Sequence, residues 1–240
     1  MGEDLTVLIV GSGAREHAIS QAWEKDPNVK RIIHTPGNDF VGYNRSKEVI
    51  IDKSFSLNDP ESILSIAQKN KSDKLRIEIA QDEAIALGRV DLLKEHGYNV
   101  FGPSQKASQI ESSKIWARQF MARHGIPSPG WQDFNNPEKA KSNMQYRYVI
   151  NGNAAFYVKA DGLAAGKGAI KVENIKEAYN AIDQMRVFEK SGERFLIERG
   201  MIGEEFSIYA ISNGKSWHIF KSAQDNKRVF EGDEGPNTGG

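Results

Sequence analysis

Cysteine is absent from the sequence. That absence excludes disulfide frameworks, thiolate zinc sites and a cysteine nucleophile together, and it fits a reducing compartment. A charge excess of either sign is absent too: Lys plus Arg and Asp plus Glu each number 32. No net field therefore draws in nucleic acid or an anionic bilayer surface, while a small phosphate ligand held by a few local groups stays compatible. Long hydrophobic runs are missing as well. Nothing approaches the ~18 apolar residues of a membrane span, and the apolar stretch after the acidic start MGEDL is too short for a signal-peptide core. We expect a cytoplasmic protein with neither nucleic-acid nor membrane partners. Internal repeats and low-complexity linkers are lacking. What remains is an ordinary globular composition, 39% hydrophobic and 27% charged over 240 residues, enough for one large or two small domains.

The pattern of the first hundred residues alternates. Thr6 to Val10 reads as a strand ending at Gly11, and Ala14 to Lys25 carries Ala14, Ala18, Ile19 and Trp23 at helical spacing. A strand at Arg31 to Thr35, a helix at Pro60 to Lys69, a strand at Leu75 to Ala80, a helix at Asp82 to Gly97 and a strand at Tyr98 to Gly102 follow. This alternation predicts an α/β fold with a doubly wound parallel sheet, whose ligands sit at the carboxyl ends of the strands. After Gly102-Pro103-Ser104 the pattern changes to a helix over Lys106 to His124, with Ser104 as its cap. We place the domain boundary there, with domains over 1–103 and 104–240. The second part offers short strands at Phe156 to Ala160, Gly168 to Val172, Arg194 to Glu198, Phe206 to Ser212 and Ser216 to Lys221, and one helix at Ile175 to Met185. The closing GDEGPNTGG has turn composition, with no closing strand or helix.

Three glycine-bearing segments carry candidate chemistry. Gly11-Ser12-Gly13-Ala14-Arg15-Glu16-His17 follows a strand and opens a helix, where backbone amides and the helix N-terminus favour a phosphate. A dinucleotide fingerprint would have Gly or Ala at position 16 and an acid after the second strand; the sequence has Glu16, and His34 with Thr35. A nicotinamide cofactor is not expected. The segment reads either as a tight turn or as a seat for a phosphorylated small molecule, and the polar trio favours the second. Pro36-Gly37-Asn38 is ordinary turn chemistry taken alone, but doubly wound geometry puts it on the same sheet edge. The run DGLAAGKG, Asp161 to Gly168, lacks the Walker spacing and the Ser or Thr after its lysine. Lying between two strand-like stretches, it reads as a hairpin tip whose amides fold over phosphates. Lys159 alternates with Val158 and Ala160 and projects to one face beneath that tip. Glu198 closes an apolar strand, where it is either solvated or an acceptor for an amine or ribose hydroxyls; Lys114 on its own reads as a surface lysine.

Taken in order, VLIVGSGAREHA, PGN, FGPSQKASQIESSKIWARQFMARHGIP, VKADGLAAGKG, LIERGMIGEEFS and AQDNKR with GDEGPNTGG resemble the phosphoribosylamine-glycine ligase family of the ATP-grasp superfamily. The resemblance covers nearly the whole chain, weakly between residues 39 and 97. It implies an N-terminal phosphosugar-binding α/β domain and an incomplete α+β ATP-grasp domain. It implies that Lys114, Lys159, Gly162, Gly166, Lys167, Gly168, Glu198, Met201 and Glu205 bind ATP. It implies that Gly13, Arg15, Glu16, Pro36, Gly37, Asn38, Asp82, Asp225 and Lys227 approach the phosphosugar substrate. The implied reaction joins glycine to 5-phosphoribosylamine through glycyl phosphate, giving glycinamide ribonucleotide, ADP and phosphate, with magnesium, or manganese in its place, bridging the phosphates. Such catalysis rests on charge neutralisation and positioning, in keeping with the lack of a recognisable triad.

Some positions depart from the family pattern. The usual Gly-Pro-Glu turn after the third strand is Ala80-Gln81-Asp82-Glu83, so Asp82 or Glu83 stands for the acid; Asp-His-Lys-Arg becomes Asp225-Asn226-Lys227-Arg228; and Glu198-Arg199 replaces two acids. Family members continue past the GPNTGG that here ends at Gly240, and they carry their metal-binding Glu and Asn beyond that point. We therefore expect the metal ligands to lie beyond Gly240, with no metal ligand and no confidently assignable catalytic residue in this chain. We also expect little ligase activity from it alone, as a truncated or split enzyme completed by a second chain, or as a non-catalytic binder.

Overall fold

The computed structural model describes residues 4–151, 154–164, 166–224, 226, 228–232 and 234–237. Two compact units divide the chain at Ser112/Ser113. In the first, β1 (Leu5–Gly11), α1 (Ala14–Glu24), β2 (Val29–Pro36), β3 (Glu48–Ile51), α2 (Pro60–Lys69), β4 (Leu75–Ile79), α3 (Asp82–Ala86), α4 (Arg89–Glu95), β5 (Val100–Phe101) and α5 (Gln105–Ser112) follow one another. The five strands pair in parallel in the order β3-β2-β1-β4-β5, which is the doubly wound arrangement the alternation predicts.

Val7 to Val10 in β1 are all fully buried because both faces of a central parallel strand are covered. Leu8 and Val10 join one cluster with Ile63 and Ile66 of α2 and Val90 and Leu93 of α4. Val7 and Ile9 join the other, against Ile19 and Trp23 of α1. α2 keeps its expected bounds because Asp59 accepts from the Glu61 amide at 3.0 Å and Pro60 supplies the first turn. The helix expected over Asp82 to Gly97 is instead two, α3 and α4. Gly88 between them has φ +76°, a left-handed turn that glycine adopts without the penalty other residues carry.

The helix expected over Lys106 to His124 is likewise two. α5 starts with the Ala107 amide donating to Ser104 Oγ at 3.1 Å and belongs to the first unit. There Gln105 donates its backbone N–H to Asp91 at 2.7 Å and its side-chain amide to the Ala86 carbonyl at 2.8 Å. Ser113 ends the run by capping the next helix, its Oγ accepting from the Trp116 amide at 3.1 Å.

The second unit contains α6 (Lys114–Arg123), β6 (Trp131–Phe134), α7 (Pro137–Asn151), β7 (Phe156–Ala160), β8 (Ala169–Val172), α8 (Ile175–Gln184), a 3-10 stretch (Met185–Gly192) and β9 (Phe195–Arg199). An antiparallel sheet in the order β6-β9-β7-β8 buries Phe156, Val158, Ala160, Phe195 and Ile197 against Met144 of α7 and Ala178 and Ile182 of α8. Strand alternation then turns Tyr157, Lys159, Leu196 and Glu198 to the opposite face. Two hairpins follow, β10 (Ala210–Ser212) with β11 (Trp217–Ile219), both shorter than expected, and β12 (Arg228–Phe230) with β13 (Glu234–Asn237). The terminal GDEGPNTGG thus contains a strand where turns alone were expected. Among the described residues, no helix is long and apolar enough to cross a membrane.

Two groups on the α1 side of the first sheet titrate abnormally. Burial pushes the Glu78 carboxyl up to about 7, against the opposing effect of the Trp23 indole N–H donated at 3.2 Å. Burial also pushes the His34 imidazole down to about 4, with Arg45 and His17 adding to the fall. Folded Glu78 binds a proton the unfolded chain releases above its ordinary 4.5, so its contribution is lost as pH rises through 7. Folded His34 lacks a proton the unfolded chain holds below 6.5, so its contribution is lost as pH falls towards 4. Each is worth about 2 kcal/mol after discounting partial solvent screening, and the slopes oppose. Between about pH 5 and 6.5 the stability of the protein should be nearly flat, whereas Glu78→Gln should make it rise with pH. Urea unfolding followed by circular dichroism measures this, and identical pH profiles for the two proteins would refute it.

Candidate nucleotide and phosphosugar sites

In the first unit, three loops meet at the carboxyl edge of the sheet. The loop after β1 is tied to the loop after β2, since the Gly37 amide donates to the Gly11 carbonyl at 3.2 Å and the Asn38 side-chain amide donates to the Ser12 carbonyl at 2.8 Å. It is tied to the loop after β4 by Arg15, whose Nη1 donates to the Ala80 carbonyl at 2.8 Å and to Asp82 Oδ1 at 2.7 Å. That ion pair holds the Arg15 guanidinium above its ordinary range, chiefly through the Asp82 hydrogen bond. The structure therefore brings Gly13, Arg15, Pro36, Gly37, Asn38 and Asp82 onto one edge. Asp82, not Glu83, takes the arginine. Glu16 points elsewhere: it is buried, and its Oε2 accepts from the Gly13 amide at 2.7 Å. It supports the turn from beneath, in the manner of a capping carboxylate. Asp225 and Lys227 lie outside the described residues.

In the second unit the DGLAAGKG segment does connect antiparallel strands, β7 and β8, and the Ala160 amide closes it by donating to the Gly168 carbonyl at 2.8 Å. Its base is fixed by Asp161. Oδ1 of that residue accepts from the Ser113 hydroxyl at 2.9 Å and the Ile115 amide at 2.8 Å, and its carbonyl accepts from the Lys114 amide at 3.0 Å. The carboxylate thus satisfies donors at the N-terminus of α6, where the helix dipole favours negative charge. The next residue has to be glycine: a Cβ on Gly162 would stand 2.7 Å from Ser191 Oγ. Ser191 in turn donates to the Leu163 carbonyl at 2.9 Å, so the 3-10 stretch braces the loop. Gly166 takes φ +75° at the tip, and Lys167 beside it is exposed.

Lys114 donates its ammonium to the Gly162 carbonyl at 3.1 Å. On the sheet face turned from the core, Glu198 is only 3% exposed, with the Lys159 ammonium on Oε1 and Arg118 on Oε2 at 3.0 Å through Nε and 2.7 Å through Nη2. Lys159 also lies over the Tyr157 ring, 5.1 Å from its centroid. Met201 and Glu205 sit beyond β9 on an exposed segment. Sequence reasoning paired none of these groups. It missed Arg118, whose one signal is a position four residues after Lys114, on the same helix face, and it gave Asp161, Ser113 and Ser191 no role. Among the described residues no three His, Cys, Asp or Glu side chains cluster as a metal site. Gly240, beyond which the metal ligands are expected, lies outside the described residues itself.

Residues 5–111 match the N domain of phosphoribosylglycinamide synthetase and residues 112–240 match its ATP-grasp (A) domain. The chain belongs to the phosphoribosylglycinamide synthetase family. It is 38% identical to the phosphoribosylamine–glycine ligase of Streptococcus suis over 98% of this chain and 54% of that protein. It is 37% identical to the trifunctional purine biosynthetic protein adenosine-3 of Drosophila melanogaster, over 98% of this chain and 17% of that one. The crystal structure of the Thermotoga maritima phosphoribosylamine–glycine ligase superposes with a TM-score of 0.74 at 26% identity, covering 98% of this chain and 54% of that one. N5-carboxyaminoimidazole synthetase of Staphylococcus aureus, solved with ADP, shares the fold at a TM-score of 0.66 and 18% identity, covering 95% of this chain and 56% of that one. The chain spans about half the length of the curated ligases it matches.

The Asp161 anchor is open to direct measurement. Asp161→Ala leaves the Ile115 amide and the Ser113 hydroxyl without their acceptor and should cost about 2 kcal/mol, read from the urea midpoint, with faster hydrogen exchange at Ile115. Asp161→Asn, which keeps an acceptor oxygen, should recover most of the loss. An alanine variant within about 0.5 kcal/mol of the parent, the range of ordinary surface changes, would remove the anchor from the account.

Proposed function

We propose that this chain carries the nucleotide-handling and phosphosugar-handling parts of an ATP-dependent ligase that joins glycine to 5-phosphoribosylamine in purine biosynthesis. The observation that carries the reading is the braced glycine hairpin on α6 with Lys114 at its base and Lys159 on the adjoining strand, in a chain of this family. Two ammonium groups beside backbone amides suit a polyphosphate, which needs charge neutralisation from several directions. On this reading Lys114 and Lys159 neutralise ATP phosphates, and Gly162, Gly166, Lys167 and Gly168 fold over them. Glu198, Met201 and Glu205 face the adenosine end. In the first unit the stitched loops bearing Gly13, Arg15, Pro36, Gly37 and Asn38 receive the phosphosugar. Asp82 aims the Arg15 guanidinium, and Glu16 holds the Gly13 turn.

ATP supplies the phosphoryl group that activates the glycine carboxylate. The chain's own residues bind, neutralise and orient, and no protein nucleophile is called for. Magnesium, when bound, would supply further charge neutralisation at the ATP phosphates. Large apolar side chains stand exposed on the segment past β9, including Ile202, Phe206, Ile211 and Trp217. Exposed apolar area of this kind marks an interface. We assign it to polypeptide equivalent to the part of the family's ligases that this chain does not span, which would also complete the reaction centre.

Calorimetric titration with ADP and ATP tests the reading. Saturable binding is expected, and Lys159→Met should weaken it at least tenfold, roughly 1.4 kcal/mol, without loss of the folded circular dichroism spectrum. Equal affinity in parent and variant sinks the assignment of the lysine, and a parent that binds neither nucleotide sinks the nucleotide site.

A further inference from the structure

We infer that Arg118 is a positioning residue whose task is to hold Glu198 when Lys159 leaves it for a phosphate. The inference rests on the nucleotide reading and concerns a residue that reading does not use. Glu198 is one carboxylate shared between two cations with a division by atom: Lys159 on Oε1, and both donors of the Arg118 fork on Oε2. The side chains are 4% exposed for Glu198, 19% for Arg118 and 21% for Lys159. A carboxylate so buried loses heavily if left without a partner, and more than it gains from a second one already in place. Two cations on one carboxylate leave a surplus of one positive charge at this point, on the same helix face as Lys114.

That surplus is what an incoming phosphate can use. The Lys159 ammonium has three donors, but each one turned to a phosphate oxygen draws its charge away from Oε1, so binding weakens its hold on Glu198 in exchange for the phosphate. With Arg118 in place the exchange leaves Glu198 paired and leaves Oε1 open as an acceptor for a donor on the nucleotide. Without Arg118 the same exchange strands a buried carboxylate, and Lys159 stays on Glu198. Arg118 touches neither phosphate nor the reacting atoms, and its charge is spent on Glu198, while its Nη1 leans on Met121 Sδ at 3.4 Å.

A double-mutant cycle tests this, with ADP affinity of the full chain by calorimetry as the readout. Arg118→Gln should weaken ADP binding roughly tenfold or more, and Arg118→Lys, which keeps a cation on Oε2, should restore most of it. In a Glu198→Gln background there is no charge to hold, so adding Arg118→Gln should change affinity by less than about twofold. Thermal melts identify any variant that fails to fold, and Arg118→Lys with the double variant keeps the test decisive if Arg118→Gln is lost. Unchanged affinity in Arg118→Gln, no rescue by lysine, or an equal loss in the Glu198→Gln background each overturns the inference. A parent chain that does not bind ADP instead overturns the nucleotide reading, a separate result.

Discussion

Burying a carboxylate against the outer face of a sheet constrains everything around it, and in the second unit that carboxylate is Glu198. Its position follows from strand alternation, because the β9 residues that build the core are Phe195 and Ile197 and the next residue must face the other way. Once there it needs cations, and the two that reach it come from different elements, Lys159 from β7 and Arg118 from α6. The pairing therefore ties α6 to the sheet at Arg118, midway along the helix. At its N-terminus Asp161 fixes it again by capping α6 from the hairpin loop. A helix held by acids at two points in turn holds the base of the glycine hairpin at Asp161, and Ser191 holds Leu163 beside it.

The first unit reaches a comparable result with different means. Its loops are joined through backbone carbonyls and one exposed ion pair, Arg15 with Asp82. An exposed pair contributes little stability, so its use is directional: it aims a guanidinium along the sheet edge. Glu16 does the reverse, spending its charge on the Gly13 amide. Two neighbouring charged residues at the same helix start thus divide the work, one shaping the turn and the other facing outward from it.

What the sequence shows depends on how locally each feature is determined. α2 is legible to the residue because Asp59 and Pro60 encode its start in adjacent letters, and the central strands are legible because β1 is aliphatic on both faces. β3 escaped notice as a four-residue edge strand with Ile50 partly exposed, and β6 because its two apolar residues, Trp131 and Phe134, are separated by two polar ones and give no period-2 pattern. α7 was missed for a related reason: among its described side chains only Ala140 and Met144 are buried, too thin a stripe to stand out. The breaks at Gly88 and Ser113 turn on a left-handed φ and a serine cap, which helical periodicity alone does not report. The candidate site divides in the same way. Its glycine runs and lysines stand in recognisable local patterns, whereas the Arg118 contact with Glu198 spans eighty residues and no periodicity reports it.

That division bears on how such a site binds. Residues legible in short motifs are those whose backbone or charge meets a ligand directly, since a ligand demands particular groups at particular spacings. Residues that set the electrostatic state of those groups are under a looser constraint, for any cation arriving from any element will hold a buried carboxylate. Lys159 and Glu198 were assigned from sequence to opposite ends of one nucleotide, yet without a nucleotide they hold each other. An ion pair between two ligand-facing groups keeps both desolvated and oriented before the ligand arrives, which lowers the ordering cost of binding. It also opposes binding by the strength of the pair itself. The third charge decides the balance, since Arg118 makes the carboxylate indifferent to the departure of the lysine and turns a self-satisfied pair into one that yields to a phosphate.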